Sequence, residues 1–341
     1  MDNSMLFIRH KDGLEDFWGR RRHGPKFERL FHVCGRPVVM TANQPRILAA
    51  VDFVAPLYST AEPLDIPPFH IDLVVSDSVS SPENPPDNLV DKIEYVGHGS
   101  WAMIDLAGWG YCYIDLDAKR ALAVVKPGLA EQPTLLGRYL LNTILTNFII
   151  SSGFGMLHAT ALLRQGHLYL LMAPHNSGKS TTALHLVLAG YDLVSDSMIY
   201  ICKEEEKQRI FAFPVGRVNL RPDMLDSFPE MKSFLERERV RGELKYAVNL
   251  RAYNPALVHT ESFLPDRVTL FLLSRSRKQR TVTKSADSDQ VWNAVMKNSL
   301  FYDGEAVWTH NMAQIESLLQ AANCFHLSVG TDRASLLSAV S

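Results

Sequence analysis

The chain has 341 residues, 46% hydrophobic and 21% charged, which is ordinary usage for a globular protein with a sizeable core. Its net charge of −2 excludes the basic balance of a generic nucleic-acid binder. Four isolated cysteines, Cys34, Cys112, Cys202 and Cys324, make no CxxC pair. That excludes a zinc knuckle or a disulfide framework, and reduced thiols in a cytoplasmic protein are expected.

The N-terminus, MDNSMLFIRHKDG, lacks the apolar run of a signal peptide. Two basic clusters, Arg20-Arg21-Arg22 and Arg275 to Arg280, are short and flanked by loop-like residues, and read as solvated turns. Arg36 to Met40 and His70 to Val75 read as strands, with a helical pattern between them from Asn43. Ser76 to Asp87, with Pro82, Pro85 and Pro86, reads as a linker or long surface loop. Ala102 to Leu106, Tyr111 to Leu116 and Ala121 to Val125 then form a β-meander pattern. Gly97-His98-Gly99 and Gly108-Trp109-Gly110 mark its turns. Residues 1–125 are therefore expected to form a mixed α/β module. It carries no catalytic constellation, and substrate recruitment is the role expected of it.

Pro133 opens a helical run through Ile150, with Leu136, Leu140, Ile144 and Phe148 at four-residue spacing. Asn142, Thr143, Thr146 and Asn147 interrupt it, and it falls short of the roughly 18 apolar residues of a membrane span. A buried helix is expected, with no membrane partner.

The chemistry begins after Gly155. Leu168 to Met172 is a short continuous apolar run, as in a strand buried on both faces. It leads into Ala173-Pro174-His175-Asn176-Ser177-Gly178-Lys179-Ser180, and an amphipathic segment from Thr181 to Ala189 ends at Gly190. Strand, loop, helix and terminal glycine are the context of a phosphate-binding P-loop (Walker A). Loop N–H groups and the helix dipole attract phosphate, and Gly178 lets the backbone come close. Lys179 is expected to bridge β- and γ-phosphate oxygens of ATP, and Ser180 to place its hydroxyl on Mg²⁺. Ala173 stands where the usual pattern begins with glycine. Downstream, Leu193-Val194 lead to Asp196 at a strand's carboxyl end, where α/β sheets bind ligands. A carboxylate there can hold Mg²⁺ or take a proton from an attacking hydroxyl.

Taken together, His158, the Ala173–Ser180 loop, Gly190 and Leu193-Val194-Ser195-Asp196-Ser197 resemble the catalytic domain of the HPr kinase/phosphorylase family. The likeness runs from about Gly155 to the C-terminus. Phe213 to Pro222, Leu244 to Pro255, Val268 to Leu273 and Phe325 to Gly330 resemble its kinase-like branch, some of whose members act in peptide natural-product clusters. The resemblance implies an α/β P-loop kinase core over residues 126–341, binding ATP and Mg²⁺ through residues 173–181. It makes Asp196 the base that activates an acceptor serine, with Asp196 and Ser180 on the metal. His158 would sit near the γ-phosphate, and Arg217 or Arg221 would neutralise the transferring group. A homo-oligomer is also implied, because relatives form them. Departures are Ser197 for a second aspartate, Thr181 for a glutamate, and no evident glycine-rich segment of the true HPr kinase/phosphorylases. Phosphorylase activity and HPr as substrate are accordingly not expected.

The function expected is an ATP-dependent serine kinase acting on a peptide or protein. Its rivals are a nucleotide-binding regulatory or scaffold protein without transfer, motivated by Ala173 and Ser197, and a kinase for free serine.

Overall fold

A computed structural model describes residues 26–76, 85–86, 88–174, 176–240, 243–298 and 304–340. Arg20-Arg21-Arg22, His175 and most of the Pro-rich linker lie outside the described residues. The chain is α/β and divides into two compact units.

The first unit holds residues 36–54 and 64–148 among others, around a seven-stranded sheet. Its strands are β1 (Phe27–Val33), β2 (Arg36–Ala42), β3 (Phe69–Val75), β4 (Glu94–His98), β5 (Trp101–Asp105), β6 (Gly110–Asp115) and β7 (Arg120–Val125). Their order is β1-β2-β3-β7-β6-β5-β4. The meander from β4 to β7 is antiparallel, as its short strands and glycine turns dictate. What joins it to the earlier strands is the parallel pairing of β3 with β7, Ile71 opposite Ala121. The helical pattern after Asn43 becomes a 3₁₀ turn, Pro45–Leu48, running into α1 (Ala49–Val54). The later helical run includes a π segment, Leu136–Leu141, and then α2 (Asn142–Ile150). A β-carbon on Gly137 would stand 2.7 Å from Phe53 Cδ1 and 3.0 Å from Ala50 O, so glycine sets the close approach of that segment to α1. Phe148 packs against Phe69 with ring centroids 5.0 Å apart. Contact density thus carries the first unit through Phe148, whereas the sequence pattern divides the chain at residue 125. The helical run sides with the strands before it because its apolar face packs there.

The second unit contains residues 33–35, 55–63 and 149–341. Its strands are β8 (Gly155–Leu157), β9 (Thr160–Arg164), β10 (His167–Met172), β11 (Asp192–Ser195), β12 (Met198–Glu204), β13 (Lys207–Phe213), β14 (Arg217–Leu220), β15 (Leu235–Val240), β16 (Glu243–Asn249), β17 (Arg267–Arg275), β18 (Val282–Ser285) and β19 (Ala322–Val329). A six-stranded sheet runs β11-β9-β10-β17-β19-β18, with β10, β17 and β19 parallel. Two three-stranded sheets, β13-β12-β8 and β14-β16-β15, accompany it. Its longer helices are α3 (Lys179–Val187), α4 (Ser288–Asn298), α5 (Glu305–Gln320) and α6 (Arg333–Val340). Leu168, Leu170, Leu171 and Met172 of β10 are completely buried, as their continuous apolar run requires.

Helix α5 contacts β8 directly. A β-carbon on Gly155 would stand 2.6 Å from Gln314 Cβ, and the fully buried Asn311 takes the Met156 N–H on Oδ1 at 2.6 Å. Replacing Asn311 by Leu strands that buried N–H, so Asn311→Leu is expected to cost about 1–3 kcal/mol. Urea unfolding with an unchanged midpoint would contradict this.

Candidate functional site

The loop between β10 and α3 turns twice through the left-handed region, at Asn176 (φ +61°) and Gly178 (φ +94°). Asparagine and glycine are the residues that reach this region at low cost. Left-handed residues just ahead of a helix N-terminus are the backbone arrangement in which successive N–H groups can converge on an anion. Ala173 is buried and its carbonyl accepts from Lys179 Nζ at 2.7 Å, with Pro174 O at 3.4 Å. Thr182 N–H donates to Gly178 O at 2.9 Å and closes the first helical turn. Pro174 and Asn176 are exposed, whereas Ser177, Gly178, Lys179, Ser180 and Thr181 are half-buried. Gly190 (φ +93°) ends the segment with a left-handed residue, as its position in the sequence leads one to expect.

Asp196 follows the last residue of β11 and faces this loop. Its Oδ1 accepts from Thr160 Oγ1 at 2.9 Å, and its Oδ2 accepts from the Asn219 backbone N–H at 3.2 Å. The Ser180 hydroxyl hydrogen-bonds the same carboxylate, and the Lys179 charge acts on it. Burial pushes the Asp196 carboxyl up to about 6; the hydrogen bonds from Ser180, Thr160 and Asn219 and the Lys179 charge oppose that rise. Burial also lowers Lys179; Asp196 counters this, and the buried Lys245 of β16 lowers it further. A carboxylate protonating near neutrality, beside the Lys179 ammonium and fixed by three donors, can accept a proton or take a share of a hard cation.

Ser180, Lys179 and Asp196 are therefore together. Ser195 is buried and uses its hydroxyl structurally: Oγ donates to Phe213 O at 2.7 Å and accepts the N–H groups of Ser197 and Met198. His158 occupies the corner between β8 and β9, two residues before Thr160, and is half-buried. Arg217 and Arg221 bracket β14. Arg217 forms an ion pair with Glu236, and Arg221 Nε pairs with Asp223 Oδ1 at 3.0 Å.

Thr160, Asn219 and Lys245 carry no signal in a linear reading. Each is an ordinary strand residue: the β9–β11 pairing brings Thr160 to the carboxylate, Asn219 reaches it from β14 of another sheet, and Lys245 acts on Lys179. Asn219 also keeps a buried Oδ1 with no hydrogen-bond partner among the described residues. Asp196, Ser180 and this amide are all oxygen donors, which suits Mg²⁺. No group of three His, Cys, Asp or Glu side chains gathers among the described residues. A metal held by one carboxylate, one hydroxyl and phosphate oxygens needs none.

Fold and site together define an α/β protein in which a strand–loop–helix turn faces a half-buried carboxylate. No protein-family model matches the chain, and no curated protein matches it. Among solved structures, the HPr(Ser) kinase/phosphatase from Coxiella burnetii matches with 12% identity and a TM-score of 0.27, covering 54% of this chain and 91% of that one. No helix among the described residues is long and apolar enough to cross a membrane.

Proposed function

We propose that this chain is an ATP- and Mg²⁺-dependent kinase that phosphorylates a serine hydroxyl of a peptide or protein. The observation that supports it best is Asp196: a carboxylate with its pKa raised to about 6, in hydrogen-bond contact with Ser180 of the anion-binding loop. ATP–Mg²⁺, when bound, supplies an activated γ-phosphoryl group whose charge the metal shares.

The chain's own residues do the rest. N–H groups of residues 176–181 hold the phosphates, and Lys179 leaves the Ala173 carbonyl to take phosphate oxygens. Ser180 and Asp196 would hold the cation, with the Asn219 amide oxygen available beside them. Thr160 and the Asn219 N–H fix the carboxylate's orientation. Asp196 then accepts the acceptor hydroxyl's proton as the serine oxygen bonds to the γ-phosphorus. The bond to the bridging oxygen breaks and ADP departs with its electron pair. His158 is proposed to border the γ-phosphate, and Arg217 or Arg221 to join it only after leaving its acidic partner. The first unit is proposed to recruit the acceptor.

The test is transfer of labelled γ-phosphate to a serine-containing peptide library with Mg²⁺. Free serine and protein extracts serve as competing acceptors. Label appearing on no acceptor, despite ATP binding, would leave the non-catalytic binding reading in place.

A pH dependence follows from the raised carboxyl. Below about 6 the base is protonated, so kcat/KM is expected to fall about tenfold per pH unit on the acid side. Bound cation and Lys179 favour the charged form, so the acid limb of kcat is expected at lower pH than that of kcat/KM. A flat kcat/KM from pH 5 to 8 would remove Asp196 from the chemistry.

A further inference from the structure

β17 lies parallel to β10 with Leu272 opposite Met172, so both strands deliver their carboxyl ends to one sheet rim. The loop from Ala173 springs from that rim, and Arg275, the last residue of β17, reaches it too. Its guanidinium lies against the loop. A β-carbon on Gly178 would stand 2.9 Å from Arg275 Nε, 3.3 Å from Nη2 and 3.5 Å from Cζ. Glycine at 178 therefore meets two needs at once, a left-handed φ and the space the guanidinium fills.

The turn that follows is held in place. Ser276 N–H donates to Val329 O at 2.8 Å, Thr331 N–H to Lys278 O at 3.1 Å and Asp332 N–H to Gln279 O at 2.9 Å. The buried Thr281 accepts the Gly330 N–H on Oγ1 at 3.0 Å. The two backbones come so close that a β-carbon on Gly330 would stand 2.2 Å from Gln279 O. Arg275 thus projects from a tethered segment.

Among the described residues, no hydrogen bond or ion pair engages the Arg275 guanidinium. The stretch from Ser274 to Ser285 contains no acidic residue that could neutralise it. Arg217 and Arg221, by contrast, already hold Glu236 and Asp223. An arginine with five donors, packed on the glycine of an anion-binding loop and lacking a carboxylate, is built to take oxyanions.

We propose that Arg275 is a ligand of the nucleotide's phosphates, gripping them across Gly178 from Lys179 and neutralising charge on the group in transfer. This rests on the nucleotide-binding reading above. The basic run at 275–280 is exposed, as a solvated turn would be, yet its first member belongs to the phosphate site.

The test is calorimetric titration of the full chain with ATP and Mg²⁺, comparing wild type, Arg275→Ala and Arg280→Ala. Wild type is expected to bind, Arg275→Ala to bind about 10- to 100-fold more weakly, and Arg280→Ala to stay within about twofold. Equal affinity of wild type and Arg275→Ala would overturn the assignment and leave nucleotide binding intact. Equal weakening in both variants would overturn it in favour of diffuse positive charge. No binding by wild type would overturn the nucleotide reading and this one with it.

Discussion

Asp196→Asn is expected to lower phosphoryl transfer by about 10²- to 10⁴-fold while leaving ATP binding within a few-fold and raising the melting temperature at neutral pH. The three outcomes have one cause. The carboxyl is raised from 3.8 to about 6 chiefly by burial, so the folded protein holds this proton more tightly than the unfolded chain does. The stability it contributes is fully present below about pH 4 and is lost as pH rises through about 6. At pH 7.5 the ionised form strains the fold by at most about 3 kcal/mol, because each tenfold change in proton affinity is worth about 1.4 kcal/mol. Asparagine removes that charge. It also turns one acceptor into a donor facing the Thr160 hydroxyl or the Asn219 N–H, which offsets part of the gain. The expected net effect is a rise of a few degrees at pH 7.5 that shrinks at pH 5, where the wild-type carboxyl is itself neutral. Thermal melts at both pH values read it directly. Full transfer activity in Asp196→Asn would end the base assignment, and a lower melting temperature at pH 7.5 would show the carboxylate to be stabilising.

Lys179→Ala is expected to weaken ATP–Mg²⁺ binding at least about 100-fold. Lys179 Nζ sits 2.7 Å from the Ala173 carbonyl, is partly desolvated, and feels a second buried cation in Lys245. The carbonyl and the Asp196 carboxyl compensate it less well than a phosphate dianion would, so binding gains from the exchange. Lys179→Arg is expected to rescue poorly, because a planar fork does not fit where a point charge meets the adjacent Ala173 and Pro174 carbonyls. A coupled effect should accompany the loss. Removing the Lys179 charge takes away one of the influences that hold Asp196 down, so the carboxyl should titrate at still higher pH in Lys179→Ala. Calorimetry measures the first effect, and carboxyl titration by NMR the second. Binding unchanged in Lys179→Ala would mean that the loop does not hold ATP, and the chain should then be pursued as a partner of another protein rather than as an enzyme.

Much of the core of the site was legible in the sequence because its elements are local. A run such as Leu168–Met172 with no polar interruption can only be a buried strand or helix segment, and the Gly178-Lys179-Ser180 turn with a following amphipathic stretch decides for strand–loop–helix. The same holds for Asp196, whose short apolar lead-in places it at a strand end. The meander was legible for a related reason: hairpin turns leave their mark within two or three residues.

What the sequence by itself determined, then, was the meander and the strand–loop–helix order around Gly178, since φ preferences and side-chain periodicity act over a few residues. Tertiary structure alone decided which distant residues complete the site. Thr160 lies 36 residues from Asp196 and reaches it through the β9–β11 pairing, whereas Asn219, 23 residues away, reaches it from β14 of a different sheet; no local pattern announces either. Arg275 looked like one charge in a solvated turn until the β10–β17 register set it on Gly178. The β3–β7 pairing likewise merged two separate-looking segments into one seven-stranded sheet. Such pairings are chosen by burying many apolar side chains at once, a sum over the whole chain that is not written at any single position.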